Sequence, residues 1–174
     1  MNVLAVTDLK THVFARSGIA KAVDGVSLTV APGEVLGLVG ESGSGKTVTG
    51  LSIMGLLDPA MRIVEGSILF DGEELAGATE AKLRDLRGRK IAMIFQDPMM
   101  TLNPVLRIDT QMIEAITAHE KVSQRAARDR AAKGLAAVGI ASPEERLLAY
   151  PHQFSGGMRQ RVAIAIALCI HRSS

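Results

Sequence analysis

The chain has 174 residues, a formal charge of +2, 47% hydrophobic residues and no Trp. This describes a soluble globular protein with a real core and no strong nucleic-acid or membrane-surface signature, and the charge balance says nothing about partners. The longest apolar run, Val162 to Ile170, is far short of the roughly 18 to 20 residues that cross a bilayer, and with a single Cys169 and no leader pattern the expected setting is reducing and cytoplasmic.

Leu4–Val6 and Val26–Val30 read as short strands, the second closed by the turn Ala31-Pro32-Gly33-Glu34, so the chain opens on an antiparallel β region. Val35-Leu36-Gly37-Leu38-Val39 is continuously apolar and predicts a parallel strand buried on both faces, followed by a helix over Lys46–Leu57. Ser67–Phe70 before Asp71-Gly72 predicts a strand and turn, and Ile91–Phe95 a second buried strand. Helical patterns then run over Asp109–His119 and over Ser123–Val138, the latter ended by Gly139. Ser142-Pro143-Glu144-Glu145 predicts a helix start with a capping Ser, and Gly157–Ile170 one further helix. Arg125, Arg128 and Arg130 are spaced along a helix and read as a solvated face, a basic docking patch being the alternative.

Gly40-Glu41-Ser42-Gly43-Ser44-Gly45-Lys46-Thr47 fits the pattern G-x-x-x-x-G-K-[ST]. Glycines let backbone N–H groups converge on a phosphate chain at the start of a helix whose dipole favours anions. Lys46 is placed to reach the β and γ phosphates, and the Thr47 hydroxyl to ligate Mg²⁺. A plain flexible Gly/Ser loop is the competing reading, and the position between an apolar run and a helix speaks against it. Ser155-Gly156-Gly157 heads a second helix and is another anion-receptive start, although alone it would also suit a linker.

Three stretches taken together, Gly40–Thr47, Phe95-Gln96-Asp97-Pro98 and Phe154–Arg161, resemble the ATP-binding subunits of ABC transporters. Ala22-Val23-Asp24-Gly25-Val26-Ser27, Ile94–Met99 with Leu102-Asn103-Pro104, and Tyr150–Arg161 resemble the dipeptide, oligopeptide and nickel importer branch. The resemblance covers almost the whole chain. It implies an α/β P-loop NTPase cassette with an N-terminal antiparallel β region and a helical insert. The implied division is a β region and first half of the phosphate-loop core over 1–104, a helical signature subdomain over 105–157, and a signature helix with an atypical end over 158–174.

The resemblance also implies ATP and Mg²⁺ as ligands. Gln96 would contact the metal and the attacking water, its loop touching membrane-spanning permease subunits. Ser155, Gly156 and Gly157 would clamp the γ phosphate of ATP held by a second ATP-binding subunit. Phe14 is the candidate for stacking on adenine, with core packing as the alternative and Val13 as the alternative register. Asp97 and His152 read as local hydrogen-bonding groups. No nucleic-acid partner is expected, and the location implied is the inner face of the cell membrane.

In the family, a later strand carries an Asp for Mg²⁺ and a Glu that polarises water, followed by a switch His. This sequence holds no such strand, and His171 matches nothing around the switch His. The expectation is a core sheet without its C-terminal part, ATP turnover close to nil and exposed apolar edges. The functional reading is an energy-coupling subunit for peptide or nickel uptake. The alternative is a truncated remnant or regulatory partner that binds ATP without hydrolysing it.

Overall fold

The computed structural model describes residues 2–95 and 101–170. The chain divides into two compact units, one up to Asp85 and the other from Leu86.

In the first unit, β1 (Leu4–Ala15) and β2 (Gly18–Val30) form a long antiparallel hairpin. Strands β3 (Met61–Phe70) and β4 (Glu73–Glu74) complete an antiparallel sheet of order β2-β1-β3-β4. The predicted strands lie inside this sheet, but each is only one end of a longer strand. The added length carries Asp8, Lys10 and Glu65, whose charges break the apolar pattern. Lys10 sits between the other two, 3.4 Å from Asp8 and 2.9 Å from Glu65, which is how a polar sheet face accommodates opposite charges across strands. The other face buries Val6, Leu9, Val23, Ile68 and Phe70. Asp71 and Gly72, with φ of 49° and 79°, make the two-residue turn between β3 and β4, whose twist matches that of the strands it joins.

Helix α1 (Lys46–Met54) turns Thr49, Ser52 and Met54 inward. It stops three residues before the predicted end because Gly55 takes φ 61° and its N–H returns to the carbonyls of Leu51 and Ser52. A short helix, α2 (Glu80–Leu86), was not visible as a pattern in the sequence.

Two predicted strands are absent. Val35–Val39 has no regular structure, and Val35 and Val39 are 96% and 91% exposed. Ile91–Phe95 contributes only an isolated bridge between Arg87 and Ile91, with Ile94 and Phe95 partly exposed. An apolar run becomes a doubly buried parallel strand only where neighbouring strands pair with its edges and other elements cover its faces. Among the described residues, the four strands pair with one another alone.

The second unit is helical: α3 (Ile108–His119), α4 (Gln124–Ala137), α5 (Pro143–Leu147), a single 3₁₀ turn over Pro151–Gln153, and α6 (Gly156–Ile170). Its core gathers Met112 and Ile116 from α3, Ala127, Ala131 and Leu135 from α4, and Val162 and Ala165 from α6, together with Leu147 and Phe154. Small residues on α4 let α6 come close. A methyl group at Gly134 would press into the Cys169 sulfur.

Ser123, read from the sequence as the first residue of this helix, is its N-cap instead, its hydroxyl accepting from the Ala126 N–H at 3.2 Å. Ser142 does not cap α5 with its side chain. It sits at φ 49°, and its carbonyl, not its hydroxyl, receives the Arg146 N–H at 3.0 Å. Two of the three arginines read as a solvated face are used internally. Arg128 donates to buried Asp109 at 2.9 Å, and Arg130 to Glu120 at 2.8 Å.

Candidate functional site

The loop between Gly40 and Thr47 leads straight into α1, so Lys46 is the first residue of a helix and lies where the positive end of the helix dipole is strongest. Its ammonium group is held over the loop. Nζ donates to the Gly40 carbonyl at 2.8 Å, the Glu41 carbonyl at 2.6 Å and Ser44 Oγ at 3.2 Å. The loop is thus wrapped around its own cation.

Gly45, at φ 88°, is the N-cap of α1. A Cβ there would run into the Ala22 carbonyl oxygen of β2, so only glycine lets the loop lie this close to the sheet. The Thr49 N–H and hydroxyl both donate to the Gly45 carbonyl, at 2.8 and 3.0 Å, and tie the loop to the next turn of α1. Between loop and sheet lies a pocket of about 150 Å³ lined by Ala22 and by Gly43 through Val48.

These residues fit a phosphate group in a way that rests on the geometry: a glycine cradle that a Cβ would fill, a lysine over it and a helix N-terminus behind it. Thr47 belongs to the same lining, and its hydroxyl is the group able to hold Mg²⁺ beside such a ligand. Gln96 lies outside the described residues. Among the described residues no cluster of three or more His, Cys, Asp or Glu could hold a metal ion unaided. A metal here would therefore depend on phosphate oxygens for much of its coordination, as Mg²⁺ commonly does.

Phe14 lies near the end of β1, opposite Ile19 of β2. It is half-buried, and Arg62 of β3 lies over the ring with its guanidinium carbon 4.0 Å from the centroid. The strand register relates Phe14 to the loop. Ala22, in the pocket wall, is three residues along β2 from Ile19, a run of roughly 10 Å. Val13, the alternative register, pairs with Ala20 and Met61.

In the second unit, Ser155 directly precedes α6. Its hydroxyl accepts from the Met158 N–H at 3.3 Å, and its carbonyl from Arg159 N–H at 2.9 Å. Gly156 and Gly157 are exposed, and a Cβ at either would meet open space. Buried Phe154 anchors the segment from below. His152 stacks on Tyr150 with ring centroids 5.7 Å apart. The structure thus assembles Gly40–Thr47 as one site in the first unit and Ser155–Gly157 as an exposed helix start in the second. Sequence reasoning missed Ala22 as a neighbour of the loop and Arg62 as a neighbour of Phe14. Both are brought there by strand register; Ala22 opens the stretch Ala22–Ser27 noted for its family resemblance, but nothing in that stretch points to the loop, and Arg62 belongs to no motif.

The sequence profile of the ABC transporter family matches residues 23–173, and the chain belongs to that family. Its fold is that of the ABC ATPase cassette. It superimposes on the dimeric post-hydrolysis structure of the ATP-binding cassette MJ0796 bound to ADP and Pi with a TM-score of 0.81, at 28% identity over 95% of this chain and 69% of that one. It also matches cbiO1 of Clostridium perfringens, part of the transporter complex cbiONQ, with a TM-score of 0.74 at 26% identity, over 97% of this chain and 62% of that one.

Among individual proteins, it is similar to the dipeptide transport ATP-binding protein DppD of Bacillus subtilis, 48% identical over 95% of this chain and 50% of that protein. It is 46% identical to the oligopeptide transport ATP-binding protein OppD of the same organism, over 95% of this chain and 46% of that one. The chain therefore spans about half the length of these relatives.

Proposed function

We propose that this chain binds ATP with Mg²⁺ through Gly40–Thr47 and carries the nucleotide-binding half of an ATP-binding subunit that energises uptake of peptides or nickel. The observation that supports it best is Lys46 held over a glycine-built pocket at the head of α1. In this reading Lys46 takes the β and γ phosphates, the backbone of Gly43–Thr47 cradles them, and Thr47 and Gln96 ligate the metal. Glu41, Ser42 and Ser44 shape the loop around the phosphates, and Phe14 stacks on the adenine.

Ser155, Gly156 and Gly157 reach the nucleotide of a second ATP-binding subunit. Their exposure and the helix start they form suit that role. The partners are that second subunit and membrane-spanning permease subunits, with the protein on the cytoplasmic face of the membrane. Among the described residues no helix is long and apolar enough to cross a membrane. The functional division is 1–104 for the first half of the nucleotide core, 105–157 for the helical signature part and 158–174 for the signature helix and chain end.

A second reading is ATP binding without turnover. The described residues lining the pocket include no carboxylate to orient water. The test of binding is thermal unfolding with and without Mg-ATP. Ligand at about a hundred times its dissociation constant stabilises the folded state by about 2.7 kcal/mol. The midpoint rises in the parent and stays put in Lys46→Ala; equal shifts in both would sink the assignment.

A further inference from the structure

We propose that Arg62 is a positioning residue for nucleotide binding, acting through the ring of Phe14. The inference rests on the reading above in which Phe14 stacks on the base. Three observations carry it. The Arg62 guanidinium lies over the Phe14 ring, 4.0 Å from its centroid. Arg62 stands opposite His12 across the β1–β3 ladder, two residues from Phe14 on the same strand face, and the His12 ring is 6.4 Å from that of Phe14. Finally, Arg62 itself is exposed, and among the described residues its guanidinium lies against the Phe14 ring and not in an ion pair with a carboxylate.

The physical consequence follows from the geometry of an aromatic ring. A ring offers two faces, and a cation is drawn to one by the ring quadrupole. With Arg62 on one face, a base stacks on the opposite one. The guanidinium also restricts rotation of the Phe14 side chain, so less freedom is lost when the base arrives. Arg62 needs no contact with the nucleotide to contribute, and its effect belongs to the base and not to the phosphates. A general electrostatic attraction between Arg62 and a polyanion would act on any phosphate chain.

The experiment compares binding of Mg-ATP and of Mg-tripolyphosphate to the 174-residue chain by titration calorimetry, in the parent, Arg62→Ala, Arg62→Lys, Phe14→Ala and the Phe14→Ala/Arg62→Ala double variant. Arg62→Ala is expected to weaken ATP about 2- to 5-fold and to leave tripolyphosphate unchanged. Arg62→Lys should restore part of the loss, and removing Arg62 should cost nothing further once Phe14 is gone.

The proposal is overturned if Arg62→Ala weakens both ligands equally, or leaves ATP unchanged or tighter, while Phe14→Ala lowers the preference for ATP over tripolyphosphate. If Phe14→Ala leaves that preference intact, the base-stacking reading fails first and takes this proposal with it. Circular dichroism of each variant confirms a folded chain, and the surface position of Arg62 makes unfolding of the Lys variant an unsuitable explanation for a null result.

Discussion

The hydroxyl of Thr11 on β1 meets the hydroxyl of Ser52 on α1 at 2.9 Å, with both residues buried, and this pair fastens the helix that begins at Lys46 to the sheet. Ser52 gives its own proton to the Val48 carbonyl at 2.7 Å, which leaves Thr11 as the donor in the pair. Ser52→Ala therefore strands a buried donor and should cost about 1–3 kcal/mol in urea unfolding. Replacing both residues, as Thr11→Val with Ser52→Ala, removes the stranded group as well. The double variant should lose less than the sum of the two single ones.

The phosphate loop gives a contrast between two glycines. Gly43 and Gly45 both have positive φ, 82° and 88°, but only at Gly45 would a Cβ strike backbone, the Ala22 carbonyl. Gly43→Ala should cost only the left-handed backbone penalty, about 1–2 kcal/mol. Gly45→Ala should cost more and displace Lys46 from its present bonds. Thermal unfolding of both variants without nucleotide checks the order, and a smaller loss at Gly45 would contradict the packing described for the loop.

Where α4 and α6 cross, the ordinary rule for helices should reverse. Alanine normally stabilises a helix interior relative to glycine by about 1 kcal/mol. At Gly134 the added methyl would push into the Cys169 sulfur, and overpacking of this kind costs about 1–3 kcal/mol. Gly134→Ala should thus destabilise the chain, and adding Cys169→Ala should recover part of the loss, as read from denaturation midpoints.

Asp109 predicts a pH effect. Burial pushes its carboxyl pKa up, but hydrogen bonds from Arg107 and the Thr110 N–H, with the charges of Arg107 and Arg128, outweigh this and hold it below the ordinary value of 3.8. A group with a lowered pKa in the folded state stabilises fully above its unfolded value, and that contribution is lost as pH falls through the folded value. Between pH 7 and 5 the Asp109 contribution should be constant, and below about 4 it should fade. Asp109→Asn should cost about 1.5–3 kcal/mol at neutral pH, with the gap to the parent narrowing in acid. A gap independent of pH would mean that the charge on Asp109 contributes nothing.

The two proposed readings differ in turnover. Binding without hydrolysis predicts that phosphate release from Mg-ATP is no faster in the parent than in Lys46→Ala. A hydrolysing subunit predicts steady release that Lys46→Ala abolishes, a positioned general base contributing roughly 10²- to 10⁴-fold.

Much of this was legible in the sequence where the signal is local. The helix that follows the loop Gly40–Gly45 and the span of α4, expected over Ser123–Val138 and found over Gln124–Ala137 ahead of Gly139, depend on local residues alone. Signals that depend on distant neighbours failed or were invisible. Val35–Val39 has strand composition, yet composition cannot supply a pairing partner, and the segment stays irregular. Ser142 carries a capping side chain, but its left-handed backbone turns the hydroxyl out of use. Arg62 is an exposed arginine in the sequence and a ring partner only once β1 and β3 are in register.

If the loop binds phosphate as proposed, the bonds from Lys46 to the carbonyls of Gly40 and Glu41 make ligand capture a displacement reaction. A polyanion does not meet a free ammonium; it competes with two backbone dipoles that already solvate it. The net enthalpy of binding is then the difference between two sets of charge-assisted bonds and smaller than a count of phosphate contacts suggests. Under that proposal discrimination among anions follows: a lone monovalent ion has little to offer in exchange, whereas a chain of phosphates would take Lys46 and fill the glycine cradle in the same event.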